Sequence, residues 1–114
     1  MLQSNLEEIL VQVRHSLEMQ NVSEAVALIE HLYAPDQAEL ISELAEEAQQ
    51  LLLPRMKPDD VADMLAEMDE KEAAELVAAL STSDAIRIVD EMDPDAAVDL
   101  LGSMEPEQAQ AVLD

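Results

Sequence analysis

The chain has 114 residues and a mass of 12.5 kDa, and five Lys and Arg against 27 Asp and Glu give it a formal charge of −22. Nucleic-acid binding is excluded because phosphate backbones require basic stripes, whereas the five cations are scattered singly along this chain. No apolar run approaches the roughly 20 residues of a bilayer-spanning helix, and the absence of Cys removes disulfides and thiolate metal sites.

Despite the acidity, 49% of the residues are apolar, and Ala, Leu, Val and Met recur at regular intervals. Acidic disordered segments lack this apolar content, so we expect the chain to fold. A single Gly, a single Tyr and no Phe or Trp disfavour β-sandwiches and barrels, which need turn glycines and aromatic or β-branched runs. The sequence therefore predicts an all-α protein.

Two longer helices are predicted first in the chain, over residues 5–19 and 23–32. Their apolar residues recur at helical spacing: Leu6, Ile9, Leu10, Val13 and Leu17, then Val26, Ile29 and Leu32. Asn21 or Ser23 is expected to cap the second helix. We expect residues 1–32 to form an antiparallel hairpin that covers the start of the segment that follows.

Residues 33–114 divide without gaps into seven blocks of twelve residues, the last of which is two residues short. The blocks read YAPDQAELISEL, AEEAQQLLLPRM, KPDDVADMLAEM, DEKEAAELVAAL, STSDAIRIVDEM, DPDAAVDLLGSM and EPEQAQAVLD. The eighth and ninth places are always aliphatic, and the twelfth is always Leu or Met. With the apolar fifth place of the last five blocks, these positions form one helical face.

Each block also has signals for a helix start. Pro58, Pro94 and Pro106 occupy the second place, where a first-turn proline loses no hydrogen bond. Asp69 and Ser81 are predicted N-caps, with acidic residues three positions later. We therefore predict about nine helical residues and a tight turn per block, stacked as a solenoid of short helices in which each helix packs on the blocks before and after.

We expect residues 1–114 to form one domain, with the hairpin at 1–32 and the seven repeats at 33–114. No second cap follows the repeats, and the last block is incomplete. We therefore expect the chain to be part of a longer polypeptide that continues or covers the stack.

The carboxylates carry the one pattern that suggests a ligand. Asp59, Asp63 and Glu67 are spaced at i, i+4 and i+8 along one helical face, and Asp95 and Asp99 repeat the first two places in the sixth block. Such like charges repel unless solvent, salt or a cation compensates them. Carboxylate oxygens suit Mg²⁺ or Ca²⁺. The alternative is a solvated acidic face without a defined site.

Other residues give little support for chemistry. His15 and His31 lie on different predicted helices and lack a metal-ligand spacing, so we expect exposed or partly covered side chains. The lone Gly102 cannot form a phosphate-binding loop, and the serines lack a nucleophile elbow. Methionines at the twelfth place are interpreted as core residues rather than soft-metal ligands. We do not expect an enzyme.

The order of these motifs resembles a known family. The two-helix start is followed by three segments, L-Y-A-P-D-Q-A-E-L-I-S-E-L, P-D-D-V-A-D-M-L-A-E-M and M-D-P-D-A-A-V-D-L-L. This order is similar to that of the cytoplasmic N-terminal domain of MgtE-type magnesium transporters and channels. The resemblance covers essentially the whole chain. It implies a right-handed superhelix of short helices, capped by the N-terminal hairpin. It also implies a cytoplasmic domain of an inner or plasma membrane protein, followed by nucleotide-binding CBS modules and a pore domain that are absent here, in a parent that is a homodimer.

The resemblance also implies a mechanism. Acids of this domain face acids of the CBS modules, and Mg²⁺ bridges them at high concentration to close the pore, so this chain alone would bind Mg²⁺ weakly. The family's cation-coordinating acids correspond to Asp63, Asp95 and Asp99. Residues that could hold coordinated waters are their neighbours Asp59, Asp60, Glu91 and Asp93. The alternative is a helical-repeat interaction scaffold, similar to a domain of flagellar-motor switch proteins.

One residue departs from the acidic pattern. Arg87 occupies the seventh place of the fifth block, where Asp63 and Asp99 stand in the third and sixth blocks. We expect it to pair with Asp84, Asp90 or Glu91, or to restrict a cation site to one edge.

Overall fold

The computed structural model describes residues 4–113, and all regular secondary structure in that range is helical. The predicted all-α class is confirmed. The helices are α1 (Ser4–Glu18), α2 (Val22–Glu30), α3 (Ala34–Ser42), α4 (Glu46–Leu52), α5 (Pro58–Ala66), α6 (Glu70–Ala78), α7 (Thr82–Asp90), α8 (Pro94–Gly102) and α9 (Pro106–Leu113). A short 3-10 turn, Leu53–Arg55, follows α4.

Helices α3 to α9 all begin at the second place of a twelve-residue block. Prolines occupy the first helical position of α5, α8 and α9, where the missing N–H would have had no intrahelical acceptor. Five of the helices have nine residues within a block, which leaves three residues for each turn.

Side-chain caps define several helix starts. The Oδ1 atom of Asn21 accepts a 3.2 Å hydrogen bond from the backbone N–H of Glu24, so Asn21 rather than Ser23 caps α2. Asp69 accepts from the N–H of Lys71 at α6, and Ser81 caps α7. These bonds satisfy donors that would otherwise lack partners in the first helical turn.

The second block departs from its neighbours because it contains Pro54. Proline has no N–H and its ring clashes with the preceding turn of an α-helix. Accordingly, α4 is only seven residues long and ends at Leu52, and the chain continues as the 3-10 turn.

The chain divides into two compact units, the first ending at Met56 and the second beginning at Lys57. In the first unit α1 packs along α2 and also contacts α3, while α2 contacts α4. Apolar residues of these helices form its core. Fully buried among them are Val13, Ile29, Leu40, Ile41 and Leu52. The boundaries proposed from the sequence for a single domain, a hairpin and seven repeats stay predictions.

Polar ties supplement this first core. The guanidinium of Arg14 on α1 donates a 2.9 Å hydrogen bond to the carbonyl oxygen of Glu43, the residue after α3. Gln37 is buried, with 4% of its surface exposed, and its amide donates to the carbonyl of Ile29. Backbone carbonyls in the last turn of a helix lack intrahelical donors. These two side chains therefore supply hydrogen-bond donors to carbonyl oxygens at the ends of α2 and α3.

In the second unit the main contacts join alternate helices: α5 with α7, α6 with α8 and α7 with α9. The sequence interpretation placed each helix on the blocks immediately before and after. Such contacts exist between α5 and α6 and between α8 and α9, but they are fewer. In this unit, packing therefore joins each helix mainly to the next helix but one. The solenoid and its handedness stay predictions.

Burial in the second unit decreases along the chain. The ninth place is buried in α5 and α6 (Leu65, Val77), half-buried in α7 and α8, and 67% exposed at Leu113 of α9. α9 has no buried residue in its described range. Within residues 4–113, no helix is both long enough and apolar enough to cross a membrane.

Candidate cation-binding surface

The acidic row predicted on the third block runs along α5 and ends at the residue after it. Asp59 and Asp63 are on α5 and Glu67 directly follows the helix, and all three are exposed. The apolar residues Val61, Met64 and Leu65 are buried on the other face, so the helix is amphipathic. Each i, i+4 pair of like charges opposes the helix by about 0.2–0.5 kcal/mol. The row is therefore a weakly destabilising feature that solvent and salt can tolerate.

Acidic residues in the first turn of a helix can stabilise that helix without binding any ligand. Asp59 and Asp60 are in the first turn of α5, and Asp95 is in the first turn of α8. The positive end of the helix dipole stabilises such carboxylates by roughly 0.3–1 kcal/mol. Asp59 also accepts a 3.0 Å hydrogen bond from the N–H of Asp60. The presence of these three acids thus needs no ligand to explain it.

Asp63 and Asp99 have no such role at a helix start. Both occupy the seventh place of their blocks, beyond the first turn of α5 and α8, and both are exposed. Neither carboxylate has a hydrogen bond or ion pair within the described residues. They are the strongest candidates for binding a cation at this surface.

The predicted site residues lie on helices that belong to two different contacting pairs. Helix α5, which carries Asp63, contacts α7, where Arg87 has the equivalent place in its block. Helix α8, which carries Asp95 and Asp99, contacts α6, where Lys71 and Glu75 have the equivalent places. The predicted shared cation site of Asp63, Asp95 and Asp99 stays a prediction.

Arg87 has a defined partner. Its guanidinium forms a 2.6 Å ion pair with Asp84, three residues earlier on α7. Asp84 also accepts a 3.0 Å hydrogen bond from the hydroxyl of Ser81. This confirms the first of the partners considered for Arg87.

The other predicted neighbours are distributed around the helix ends. Glu91 follows α7, Asp93 precedes α8 without a side-chain capping bond, and both are exposed. Asp60 on α5 is half-buried. Within residues 4–113 no group of three or more His, Asp or Glu side chains is placed to hold a metal ion.

Two further acids were not identified from the sequence, one that shares a cavity with Asp99 and one at the equivalent place on a contacting helix. Glu70 lines a cavity of about 210 Å³ together with Asp99, between α5, α6 and α8. Glu75 shares the seventh place with Asp99 on the adjacent α6. The block pattern already places Glu75 at the same seventh place as Asp99. That equivalence points to a common surface only because α6 and α8 are contacting helices.

The histidines and the methionines at the twelfth place lie where the sequence interpretation expects them. His15 and His31 are both exposed, and the Nδ1 atom of His31 lies 2.7 Å from the carbonyl oxygen of Ala27. Met56 and Met104 are buried, and Met68 and Met92 are half-buried, in keeping with the core interpretation of the twelfth place.

Comparisons with known proteins give a family. The profile of the MgtE intracellular N domain matches residues 32–114, more than half of the chain. Among solved structures, the chain is similar to the crystal structure of the soluble part of a magnesium transporter, with a TM-score of 0.49 and 24% identity. That match covers 95% of this chain and 48% of the other, so this chain spans about half of that protein's length. No curated protein matches. On the family match, the chain belongs to the MgtE intracellular N domain family.

Proposed function

We propose that this chain is the cytoplasmic regulatory domain of a magnesium transporter or channel, and that it senses Mg²⁺ through its exposed carboxylates. The observation that carries the proposal is the pair Asp63 and Asp99, which are exposed, lack a partner in the described residues and have no role at a helix start. Family membership supports the same role. A non-enzymatic function follows from it.

The sensing mechanism is a charge-controlled docking equilibrium. A formal charge of −22 repels any other acidic surface at low Mg²⁺. Mg²⁺ retains most of its waters and uses one or two carboxylates from each surface, so it can bridge Asp63, Asp95 or Asp99 to acids of a partner. The proposed partner is the pair of CBS modules of the same parent chain. Mg²⁺ favours the docked state because it binds there more tightly than to the separated surfaces.

The pore would then be closed by docking at high Mg²⁺ and open when repulsion separates the surfaces. In this scheme the isolated chain supplies only half of each site, and its affinity for Mg²⁺ is correspondingly weak. Asp59, Asp60, Glu91 and Asp93 would hold coordinated waters near the bridging ions. The parent would be a homodimer in an inner or plasma membrane.

The decisive experiment uses the full-length parent and a flux assay over a range of Mg²⁺ concentrations. Asp63→Ala combined with Asp99→Ala is expected to shift closure to higher Mg²⁺. The matched control is Glu39→Ala combined with Glu43→Ala, which removes two exposed acids of the first unit. Closure of the Asp63/Asp99 variant at the parental Mg²⁺ concentration would show that the site assignment is wrong.

The alternative, a helical-repeat scaffold such as a flagellar motor switch-like domain, makes a different prediction for the chain itself. A scaffold would respond to divalent ions only through screening, so its melting temperature in MgCl₂ would equal that in NaCl of the same ionic strength. A cation-sensing domain is expected to gain additional stability in MgCl₂, because Mg²⁺ then binds the folded state preferentially.

A further inference from the structure

We propose that the cavity between α5, α6 and α8 binds a small alkylammonium ion, that is, a short hydrocarbon chain carrying one or more primary ammonium groups. All of its lining residues belong to the second unit. Binding requires no other domain, so it stands or fails independently of the proposed magnesium sensing.

The cavity is partly open to solvent and has room for a short alkyl chain. Its volume is about 210 Å³, and seven of the nine residues that line it are Leu, Met or Ala, although polar atoms contribute about half of its exposed lining. At about 30 Å³ for each water in the liquid, this space corresponds to roughly seven waters. A chain of about four carbons with its ammonium group fits within it, and its methylenes would exchange water for apolar contacts.

Two methionines show that the packing is incomplete at this point. Met68 and Met92 stand at the twelfth place of their blocks and line the cavity, and both are half-buried. Met56 and Met104 at the same place are 3% and 8% exposed. Thioether side chains adapt to the shape of a ligand because their torsions are soft. Met68 and Met92 are therefore suited to close around an alkyl chain.

The charge of the cavity selects a cation. Its only ionisable lining residues are Glu70 and Asp99, and neither carboxylate has a hydrogen bond or ion pair within residues 4–113. An ammonium group donates up to three hydrogen bonds, and its bonds to carboxylates are charge-assisted. An anion would be repelled by both residues.

The apolar side chains give an organic cation contacts that a hydrated Mg²⁺ cannot use. Mg²⁺ keeps most of its waters and needs only one or two carboxylates, so the seven apolar lining residues add nothing to its binding. An alkylammonium ion places its charge against Glu70 and Asp99 and its methylenes against Met68, Met92 and Leu100.

The test is a titration of the 114-residue chain with 1,4-diaminobutane, monitored by the NMR signals of ¹³C-labelled methionine methyl groups. We expect saturable shifts at Met68 and Met92, with Met56 and Met104 less affected. NaCl of equal ionic strength and neutral 1,4-butanediol serve as comparisons. Equal shifts with either of them would overturn the proposal.

Three charge variants locate the site. Glu70→Gln and Asp99→Asn are each expected to weaken binding about 1.4- to 5-fold, the effect of one exposed ion pair. Asp90→Asn removes an exposed acid of α7 that does not line the cavity, and its affinity should match the parent. A loss with Asp90→Asn as large as with Asp99→Asn would show general attraction to an acidic protein, and the proposal would be wrong.

A filling variant tests the cavity without changing charge. Ala96 on α8 is half-buried and lines the cavity, so Ala96→Leu places additional carbon atoms into the space. We expect the methionine shifts on addition of the diamine to disappear, while circular dichroism shows the parental helix content. Parental affinity in a folded Ala96→Leu variant would overturn the proposal. If that variant does not fold, the same criterion applies to Ala73→Val.

Discussion

The side-chain amide of Gln37 donates a 3.0 Å hydrogen bond to the carbonyl oxygen of Ile29, eight residues earlier in the last turn of α2. Gln49 makes the same connection to Ile41 at the end of α3, at 2.8 Å. Both glutamines occupy the fifth place of their blocks, where the later blocks have Val or Ala. The first two repeats are thus tied to the preceding helix by polar bonds, and the later ones rely on apolar contacts.

Replacement of Gln37 should show what this bond contributes. Gln37→Ala removes a buried donor and leaves space in the core, so we expect a loss of about 1–3 kcal/mol in the free energy of unfolding. Urea denaturation followed by circular dichroism measures it. Gln12→Ala is the matched control because Gln12 is exposed on α1, and it should change stability by no more than about 0.5 kcal/mol. Equal effects of the two substitutions would contradict a structural role for the bond.

The helix starts were predictable because their signals are local. Proline at the second place and Asp or Ser before the first turn act through hydrogen bonds within a few residues, and α5 to α9 begin where those residues predicted. The polar tie of Gln37 was not predictable. It depends on where the preceding helix ends in space, and the fifth place otherwise holds apolar residues that predict only burial.

The capping bond of Ser81 gives a second prediction. Its Oγ atom accepts a 3.2 Å hydrogen bond from the N–H of Asp84. Ser81→Ala should lower the free energy of unfolding by about 0.5–2 kcal/mol, the usual effect of losing an N-cap. Ser83 lies inside the first turn of α7 and is exposed, so Ser83→Ala is expected to leave stability unchanged or raise it slightly. A Ser81→Ala protein as stable as Ser83→Ala would exclude the cap as a contributor.

The turn between α1 and α2 provides a third. Gln20 has a φ of 60°, and the backbone N–H of Asn21 donates to the carbonyl of Ser16 while that of Gln20 donates to Leu17. These bonds define a Schellman motif, in which Gly is preferred at the left-handed position.

At position 20, Gln20→Gly should relieve the steric cost of the left-handed conformation, which exceeds the entropy cost of glycine, and stabilise the chain by about 0.5–1 kcal/mol. Gln20→Val has the opposite expectation, because β-branched residues tolerate positive φ poorly. Thermal unfolding of the two variants measures the difference. The same stability for both would mean that the turn adopts another conformation in solution.

The candidate site was only partly predictable because the sequence does not show which helices contact each other. The block pattern identifies Asp63 and Asp99 as equivalent residues, but it does not state which blocks are neighbours in space. Alternate helices contact each other in the second unit, so the helix with Asp63 contacts the one with Arg87 at the same place, and the helix with Asp99 contacts the one with Glu75. The three acids predicted together therefore lie on helices whose contact partners carry different charges at that place.

This division leads to the last prediction. Arg87→Glu would place an acid at the seventh place of α7, the position on the packed helix that is equivalent to Asp63 on α5. It also breaks the exposed pair with Asp84, so we expect a loss of about 0.2–1 kcal/mol at low salt that diminishes as NaCl is added. Over an equal ionic strength of NaCl, MgCl₂ should stabilise this variant more than the parent, because two carboxylates could then share one hydrated Mg²⁺. Arg55→Glu makes the same charge change at an exposed residue of the first unit. If MgCl₂ raises the melting temperature of both variants equally, the response depends on net charge alone. A shared Mg²⁺ between position 87 on α7 and Asp63 on α5 would then be excluded as its cause.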